Sequence, residues 1–303
     1  MSQKHILLTG GSGFIGQQLV PTLLNAGHTI TIFTRNPKKT SAIFQQQVAT
    51  IDNLDELGED DHFDAVINLA GQGIGDQRWT DTVKQQLRDS RLITTADLVE
   101  YLKRAKQKPE VFISGSAIGV YGLHGDEKLD EQASGDDSFS SKLCRDWEAQ
   151  AAEAEALGIR CCYLRTGVVL GKNGGALSKM LPPFKMALGG PMGSGKQWMS
   201  WVHMDDLVGA ILYTLETPSI QGPINGTAPN PVTNKAFSKT LGAALNRPAI
   251  IPMPEFVLKL MMGEMAEELL LSGQRVVPAK LTSSGFEFKY PHLDGALRDI
   301  IQH

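Results

Sequence analysis

Short apolar, β-prone runs alternate with amphipathic or polar stretches along the first half of the chain. Ile6 to Leu8 is such a run, and the helix-like Gln17 to Leu24 follows it, closed by Gly27. His28 to Phe33 alternates as a second strand, and Val48 to Ile51 and Ala65 to Leu69 predict two more. A polar helix follows Arg78-Trp79-Thr80 and runs to about Lys106. Val111 to Ser114 predicts a fifth strand and Arg160 to Leu170 a sixth. Between them Ser140 to Leu157 reads as a helix with Trp147 on its apolar face. From Lys172 the texture changes, with glycine and proline clusters in a Met- and Leu-rich segment. There the pattern predicts helices over Ala176 to Leu188, Leu207 to Glu216 with Asp205 as its cap, and Ala236 to Leu245. A last amphipathic helix spans Phe256 to Leu271 and carries a Met stripe, Met261, Met262 and Met265.

The first strand ends in Thr9-Gly-Gly-Ser-Gly-Phe-Ile-Gly16, a glycine-rich turn that opens a helix. Gly10 permits the sharp turn, Gly13 removes the Cβ that would block a pyrophosphate, and Gly16 lets helix and sheet approach. Together with Ser12, Phe14 and Ile15 they form a phosphate-binding first turn, where free N–H groups meet the helix dipole. An NAD site usually places an acid about 20 residues further on, for the ribose 2′-hydroxyl. Here the second strand ends in Thr34-Arg35-Asn36, without one. The Arg35 fork suits a 2′-phosphate, with Thr34 and Lys38 nearby, so NADP(H) is the expected cofactor. At the end of the fourth strand, Ala70 and Gly71 leave bare backbone against which a ribose packs. Arg91 either faces that crevice or lies on the surface. Leu123 to Ser138, polar and acidic, is either an active-site flap or a solvated loop.

Composition narrows the field without redirecting it. The 303 residues are 42% hydrophobic and 20% charged, with a formal net charge of −4 and no basic run. That excludes disorder and disfavours nucleic acid or an anionic membrane as partner. No apolar run reaches the roughly 18 residues of a membrane helix. The first strand starts almost at the first residue given, so no leader peptide is expected. The three cysteines, Cys144, Cys161 and Cys162, lack metal-ligand spacing, and the acidic Gly58 to Asp64 reads as a solvated loop. No metal is expected, and the cytoplasm is the expected compartment.

The Gly-rich turn, Asn68-Leu-Ala-Gly71, Ser116 to Gly122, Arg165 and Val202 to Asp206 resemble the extended short-chain dehydrogenase/reductase superfamily. Arg78-Trp79-Thr80, Ser90-Arg91, Trp147-Glu148, Arg165 to Gly171 and Leu188 to Gly195 narrow the likeness to its atypical "epimerase family protein" subgroup. The resemblance implies an α/β fold with a Rossmann-type doubly wound parallel sheet, order 3-2-1-4-5-6-7, and a small C-terminal lobe on the substrate side. Residues 1–171 then form the NADP-binding domain, its sheet completed by about 199–228, and 172–198 with 229–303 the lobe. It also implies that Thr34, Arg35, Leu69, Ala70, Gln86, Arg91 and Leu170 lie along the cofactor.

The superfamily's chemistry needs a Tyr whose proton is loosened by a Lys four residues on. Tyr101, Tyr121, Tyr163, Tyr213 and Tyr290 are followed at that distance by Ala105, Gly125, Gly167, Thr217 and Asp294. In the family register the two positions fall on Ser140 and Cys144. The remaining catalytic candidates are Ser116 at the carbonyl-polarising position, Tyr121 as the nearest phenol, Lys142 as the nearest ammonium and His203. His203 either relays protons or is a structural histidine beside Asp205. Two functions compete. One is an NADP(H)-dependent oxidoreductase or epimerase-like enzyme on a small carbonyl or carbinol, nucleotide sugars included by fold analogy, with Trp198 and Trp201 walling its pocket. The other is a non-catalytic NADP(H)-binding sensor or scaffold. A homodimer is compatible with either.

Overall fold

The computed structural model describes residues 3–172 and 174–302. Five strands alternate with helices in the first half: β1 (His5–Thr9), β2 (Thr29–Phe33), β3 (Ala49–Ile51), β4 (Ala65–Asn68) and β5 (Val111–Ala117). The helices are α1 (Gly16–Asn25), α2 (Pro37–Ile43) and α3 (Asp81–Arg104). A two-residue strand, β6 (Lys128–Leu129), precedes α4 (Phe139–Ala152). Then come β7 (Arg160–Thr166), β8 (Val168–Leu170), α5 (Gly175–Lys185), β9 (Trp198–Met199), β10 (Trp201–His203), α6 (Met204–Glu216) and β11 (Gly222–Gly226).

A seven-stranded sheet runs β3-β2-β1-β4-β5-β7-β11, every pairing parallel. This is the order the family resemblance implies. The central strands are apolar on both faces because helices cover both. Ile6, Leu8, Ile30 and Ile67 pack with Leu19 and Leu23 of α1 and Leu207 and Ile211 of α6. Leu7, Val66 and Phe112 face Leu98 and Leu102 of α3 on the other side. Cys161 and Cys162 divide between these two faces, and all three cysteines are free and buried.

Beyond β7 the sequence reading needs correcting. The run read as one sixth strand, residues 160–170, breaks at Gly167. A Cβ there would lie 2.5 Å from the Ser200 carbonyl oxygen. The Gly167 N–H still reaches Gly226 at 3.1 Å, whereas the next N–H, of Val168, goes to Ser200 at 2.8 Å. The chain thus leaves the main sheet within one residue, and β8 pairs with β10 in a ladder of its own. Residues 201–203 therefore do not return to the main sheet; β11 supplies its seventh strand. Trp201 is not a pocket wall but fully buried, in a third apolar cluster with Leu177, Phe184 and Phe237.

The C-terminal part adds β12 (Val232–Thr233), α7 (Asn234–Ala244), α8 (Glu255–Met262), α9 (Glu264–Ala266), β13 (Arg275–Val276), α10 (Ala279–Ser283) and α11 (Leu293–Gln302). The amphipathic run over 256–271 is not one helix. Gly263 adopts φ +61°, which ends α8, and a π-turn at Glu267–Leu271 follows the single turn of α9. The break turns the Met stripe: Met265 is buried, while Met261 is 63% exposed. The helix read as 140–157 ends at Ala152 and tightens into a 3₁₀ stretch through Leu157.

Candidate functional site

Two neighbouring regions at the carboxyl ends of the strands carry the candidate residues. The first is the Gly-rich turn after β1. Gly10 holds φ +71°, and a Cβ on it would lie 2.5 Å from the Leu69 carbonyl oxygen. A Cβ on Gly16 would lie 2.4 Å from the Gly10 oxygen. Ser12 and Gly13 are exposed at the tip, and α1 begins without a side-chain cap, in contrast to α3 and α4, which Thr80 and Ser138 cap. The Gln17 and Gln18 N–H groups are taken by the Gly13 and Ile15 carbonyl oxygens at 2.9 and 3.1 Å, so what the helix start offers an anionic ligand is its positive dipole end, with no side chain over it. The Phe14 ring is wedged where Cβ atoms on Gly171, Gly174 and Gly175 would stand, so the turn after β8 closes onto the fingerprint because it is glycine. Leu170 is fully buried at the end of β8.

Asn68 ties the turn to its surroundings. Its Oδ1 accepts from Thr9 Oγ1 at 2.7 Å, and its amide donates to Thr95 Oγ1 and Ser114 Oγ at 2.8 and 3.3 Å. Thr9 Oγ1 in turn accepts the Ala70 N–H at 3.1 Å, which fixes Leu69-Ala70 beside the glycines. Arg91 points inward. It donates to the Leu87 and Gln72 carbonyl oxygens at 3.0 Å, stacks 5.2 Å from the Trp147 ring, and lies where a Gly71 Cβ would stand. Burial lowers its pKa, and no carboxylate pairs with it among the described residues. Gln86 is exposed on α3, one position before buried Leu87. At the end of β2, Thr34 Oγ1 lies 3.0 Å from Thr40 Oγ1, and Asn36 caps α2. Arg35 and Lys38 are exposed, and Arg35 has no polar partner among the described residues.

The second region lies where β5, β7 and α4 meet. Ser116 Oγ donates to Glu148 Oε1 at 2.6 Å. Arg165 grips the same carboxylate through Nε and Nη2, both at 2.8 Å. Arg165 Nη1 also donates to Tyr121 Oη at 3.0 Å, and Tyr121 donates to Asn225 Oδ1 at 2.6 Å. Burial alone would lower the Arg165 pKa, but the bonds and charge of Glu148 outweigh it and hold the guanidinium charged. Burial also raises the Tyr121 pKa, so the phenol is a poor acid near neutrality. Ser140 and Cys144 sit on one face of α4 against Gly119: the Ser140 Cβ would be 3.1 Å and the Cys144 Sγ 3.9 Å from a Cβ there. Burial and then the Glu148 charge push the Cys144 thiol up to about 11, and the Ser140 hydroxyl has no partner among the described residues.

Lys142 and His203 stand outside this network. Lys142 is half exposed and lies 3.6 Å from Asp137. His203, not Asp205, caps α6: its Nδ1 accepts the Asp205 N–H at 3.1 Å. Its Nε2 faces Asp299 at 3.4 Å without hydrogen-bond alignment, and its ring stacks 3.9 Å from Tyr290. Burial lowers its pKa against the opposing pull of three aspartates. The acidic stretch 123–138 is pinned rather than loose. Asp136 accepts the Leu123 N–H at 2.8 Å, Glu131 accepts from Asn225 and Lys280, and β6 pairs with β13.

Comparison with known proteins places this geometry. Residues 6–225 match the NAD dependent epimerase/dehydratase family, and residues 253–300 match a domain of unknown function, DUF1731. The chain belongs to that epimerase/dehydratase family. It is 40% identical to epimerase family protein YfhF of Bacillus subtilis, covering 98% of both chains. It is equally 40% identical to the chloroplastic SDR39U1 homolog of Arabidopsis thaliana, over 99% of this chain and 88% of that one. The crystal structure of human epimerase family protein SDR39U1 (isoform 2) with NADPH superposes with a TM-score of 0.89 at 36% identity, covering 99% of each chain. Glu148 is the member of this network that sequence reasoning passed over. Trp147-Glu148 marked the subgroup, but nothing local in the sequence aims that carboxylate at Ser116.

Proposed function

We propose that the protein binds NADP(H) and works as an oxidoreductase or epimerase-like enzyme on a carbonyl or carbinol substrate. The observation that carries the cofactor assignment is Arg35, an exposed guanidinium, unpartnered among the described residues, one strand away from the Gly-rich turn, where an NAD site has an acid. The human relative solved with NADPH supports it. Gly10, Ser12, Gly13 and the first turn of α1 are suited to hold the pyrophosphate, Leu69-Ala70 the ribose, and Thr34 with Arg35 the 2′-phosphate. Arg91, a half-buried cation without a counter-ion among the described residues, gains one from a bound anion. The bound dinucleotide supplies hydride chemistry; the protein supplies orientation and a proton.

A second reading, an NADP(H)-binding sensor without turnover, draws on one observation: the positions of the missing Tyr and Lys hold a partnerless Ser140 hydroxyl and a neutral Cys144 thiol. The test is direct. NADPH fluorescence titration measures binding, and absorbance then follows NADPH oxidation against a panel of carbonyl compounds and NADP⁺ reduction against the matching alcohols. Turnover supports the enzyme. Tight binding with silence on both panels supports the sensor, and no binding sinks both.

A further inference from the structure

We propose that Ser116 and Glu148, held by Arg165, form a proton relay in place of the absent tyrosine, and that the relay presets the site for a carbinol. This rests on the oxidoreductase reading above and specifies which of its two substrate forms the resting site accepts. A serine hydroxyl has one proton and two lone pairs, and an ionised carboxylate can only accept. At 2.6 Å from Glu148 Oε1, the Ser116 proton is committed to a charge-assisted bond. Two bonds from Arg165 to the same carboxylate keep it in place. Ser116 is therefore left with a lone pair to offer. A carbinol brings the O–H that such an acceptor needs, and a carbonyl oxygen does not. The usual serine of the superfamily polarises a carbonyl as a donor; here the hydrogen bond runs the other way.

Of the neighbouring groups, only the Cys144 thiol also reaches the Ser116 hydroxyl among the described residues, as a weak S–H donor that takes up one of its two lone pairs. Tyr121 is fully buried and spends its hydroxyl on Asn225 and Arg165. Cys144 is a neutral buried thiol, Lys142 lies beside Asp137 at the surface, and His203 is tied to the start of α6. Ser116 lies near the carboxyl end of β5, where ligands of doubly wound sheets bind. When bound, the oxidised dinucleotide is the hydride acceptor. The protein moves the proton: the carbinol O–H bond breaks as a new O–H bond forms on Ser116 Oγ. The original Ser116 O–H bond breaks as one forms on Glu148 Oε1. The products are a carbonyl and a neutral Glu148, whose side chain, 12% exposed, returns the proton to water. Ser116 is the catalytic residue of this step, Glu148 the proton acceptor behind it and Arg165 its positioning residue.

The test uses the full chain with and without NADP⁺, in wild type, Ser116→Ala, Ser116→Thr and Glu148→Gln, with cyclohexanol and cyclohexanone and a panel of similar pairs as probes. The expected result has three parts. A downfield, exchange-protected hydroxyl proton appears in the ¹H spectrum, vanishes in Ser116→Ala and Glu148→Gln and returns in Ser116→Thr. Ligand-observed NMR shows alcohols binding tighter than their ketones, a preference absent in Ser116→Ala. Alcohol oxidation falls about 100-fold or more in Ser116→Ala, the scale of a lost proton-transfer group, and recovers in Ser116→Thr. Should Glu148→Gln fail to fold, the two serine variants, which keep the ion pair, decide alone. Turnover undiminished in Ser116→Ala, a ketone preference, or no protected proton overturns the relay while the oxidoreductase reading stands. Turnover of neither panel by wild type that binds NADP⁺ overturns that reading, and the relay falls with it.

Discussion

Arg35 is a single residue on which the cofactor assignment can be broken. Arg35→Ala removes a free, permanently charged fork; loss of its charge-assisted bonds is worth about 1.5–3 kcal/mol, roughly 10- to 150-fold in affinity. The expected outcome, measured by fluorescence titration, is that NADPH loses this much while NADH hardly changes. Equal loss for both would refute the 2′-phosphate assignment. His203 and His28 make an acid-stability prediction. Burial lowers both pKa values from 6.5, with Asp205, Asp206, Asp299 and Lys289 around His203, and Glu216, Lys4 and Asp64 around His28. The unfolded chain protonates these rings near pH 6.5, the native chain only at lower pH, so the unfolded state binds more protons in between. Stability is therefore complete above about pH 6.5 and is lost as pH falls below it. Urea midpoints that stay flat from pH 7 to 5 would contradict this. Glu148→Ala, which strands the buried Arg165, is expected to cost about 3–5 kcal/mol in denaturant unfolding.

At the scale of elements, the informative places are those where a periodic pattern runs straight through a break. Residues 160–170 are mostly apolar, with β-branched Thr166, Val168 and Val169 on either side of Gly167, so periodicity alone reads one strand; the Ser200 backbone beside Gly167 forces the switch to a second ladder. Residues 256–271 keep a helical period across Gly263, yet that glycine takes a positive φ, and the chain re-enters as the single turn of α9 followed by a π-turn. The turn has a use: it delivers Glu268, whose two carboxylate oxygens accept the Phe139 and Ser140 N–H groups at 3.1 and 3.0 Å. A carboxylate at a helix N-terminus satisfies open donors and meets the helix dipole. Glu268→Ala is expected to destabilise by about 0.5–2 kcal/mol, the range of a lost cap. Thermal melts of this variant beside Glu267→Ala, an exposed neighbour, separate the cap from a general charge effect.

For the whole molecule, one C-terminal strip ties distant segments together. Gln274 Nε2 donates to the Gly122 oxygen at 2.6 Å, the Val276 N–H reaches Ser200 Oγ at 2.8 Å, and Asn225 Nδ2 donates to the Val277 oxygen at 3.0 Å. The strip thereby joins the acidic stretch, the β8–β10 region and the seventh strand of the sheet. Met265 completes an apolar cluster with Trp79, Leu87 and Leu143, and Val276 packs with Val120, Tyr121 and Leu129. Removing residues 253–303 uncovers both clusters. The expected outcome is a chain that aggregates rather than a smaller stable domain, checked by soluble yield and circular dichroism. A well-folded, monomeric truncation would show that the first 252 residues carry their own core.

The sequence by itself determined what depends on near neighbours along the chain. The strand–turn–helix with its three spaced glycines, the missing acid after the second strand and the absence of any Tyr-x-x-x-Lys are local facts, because turn geometry and phosphate access depend on backbone within a few residues. The inward aim of Arg91, the cap made by His203 and the pairing of Ser116 with Glu148 were decided only by tertiary structure. Ser116 and Glu148 are 32 residues apart, Glu148 and Arg165 17, and Ser140 and Glu268 128. A hydrogen bond fixes direction and distance in space, and no periodicity of hydrophobic and polar positions encodes which distant carboxylate a hydroxyl or a helix end will meet.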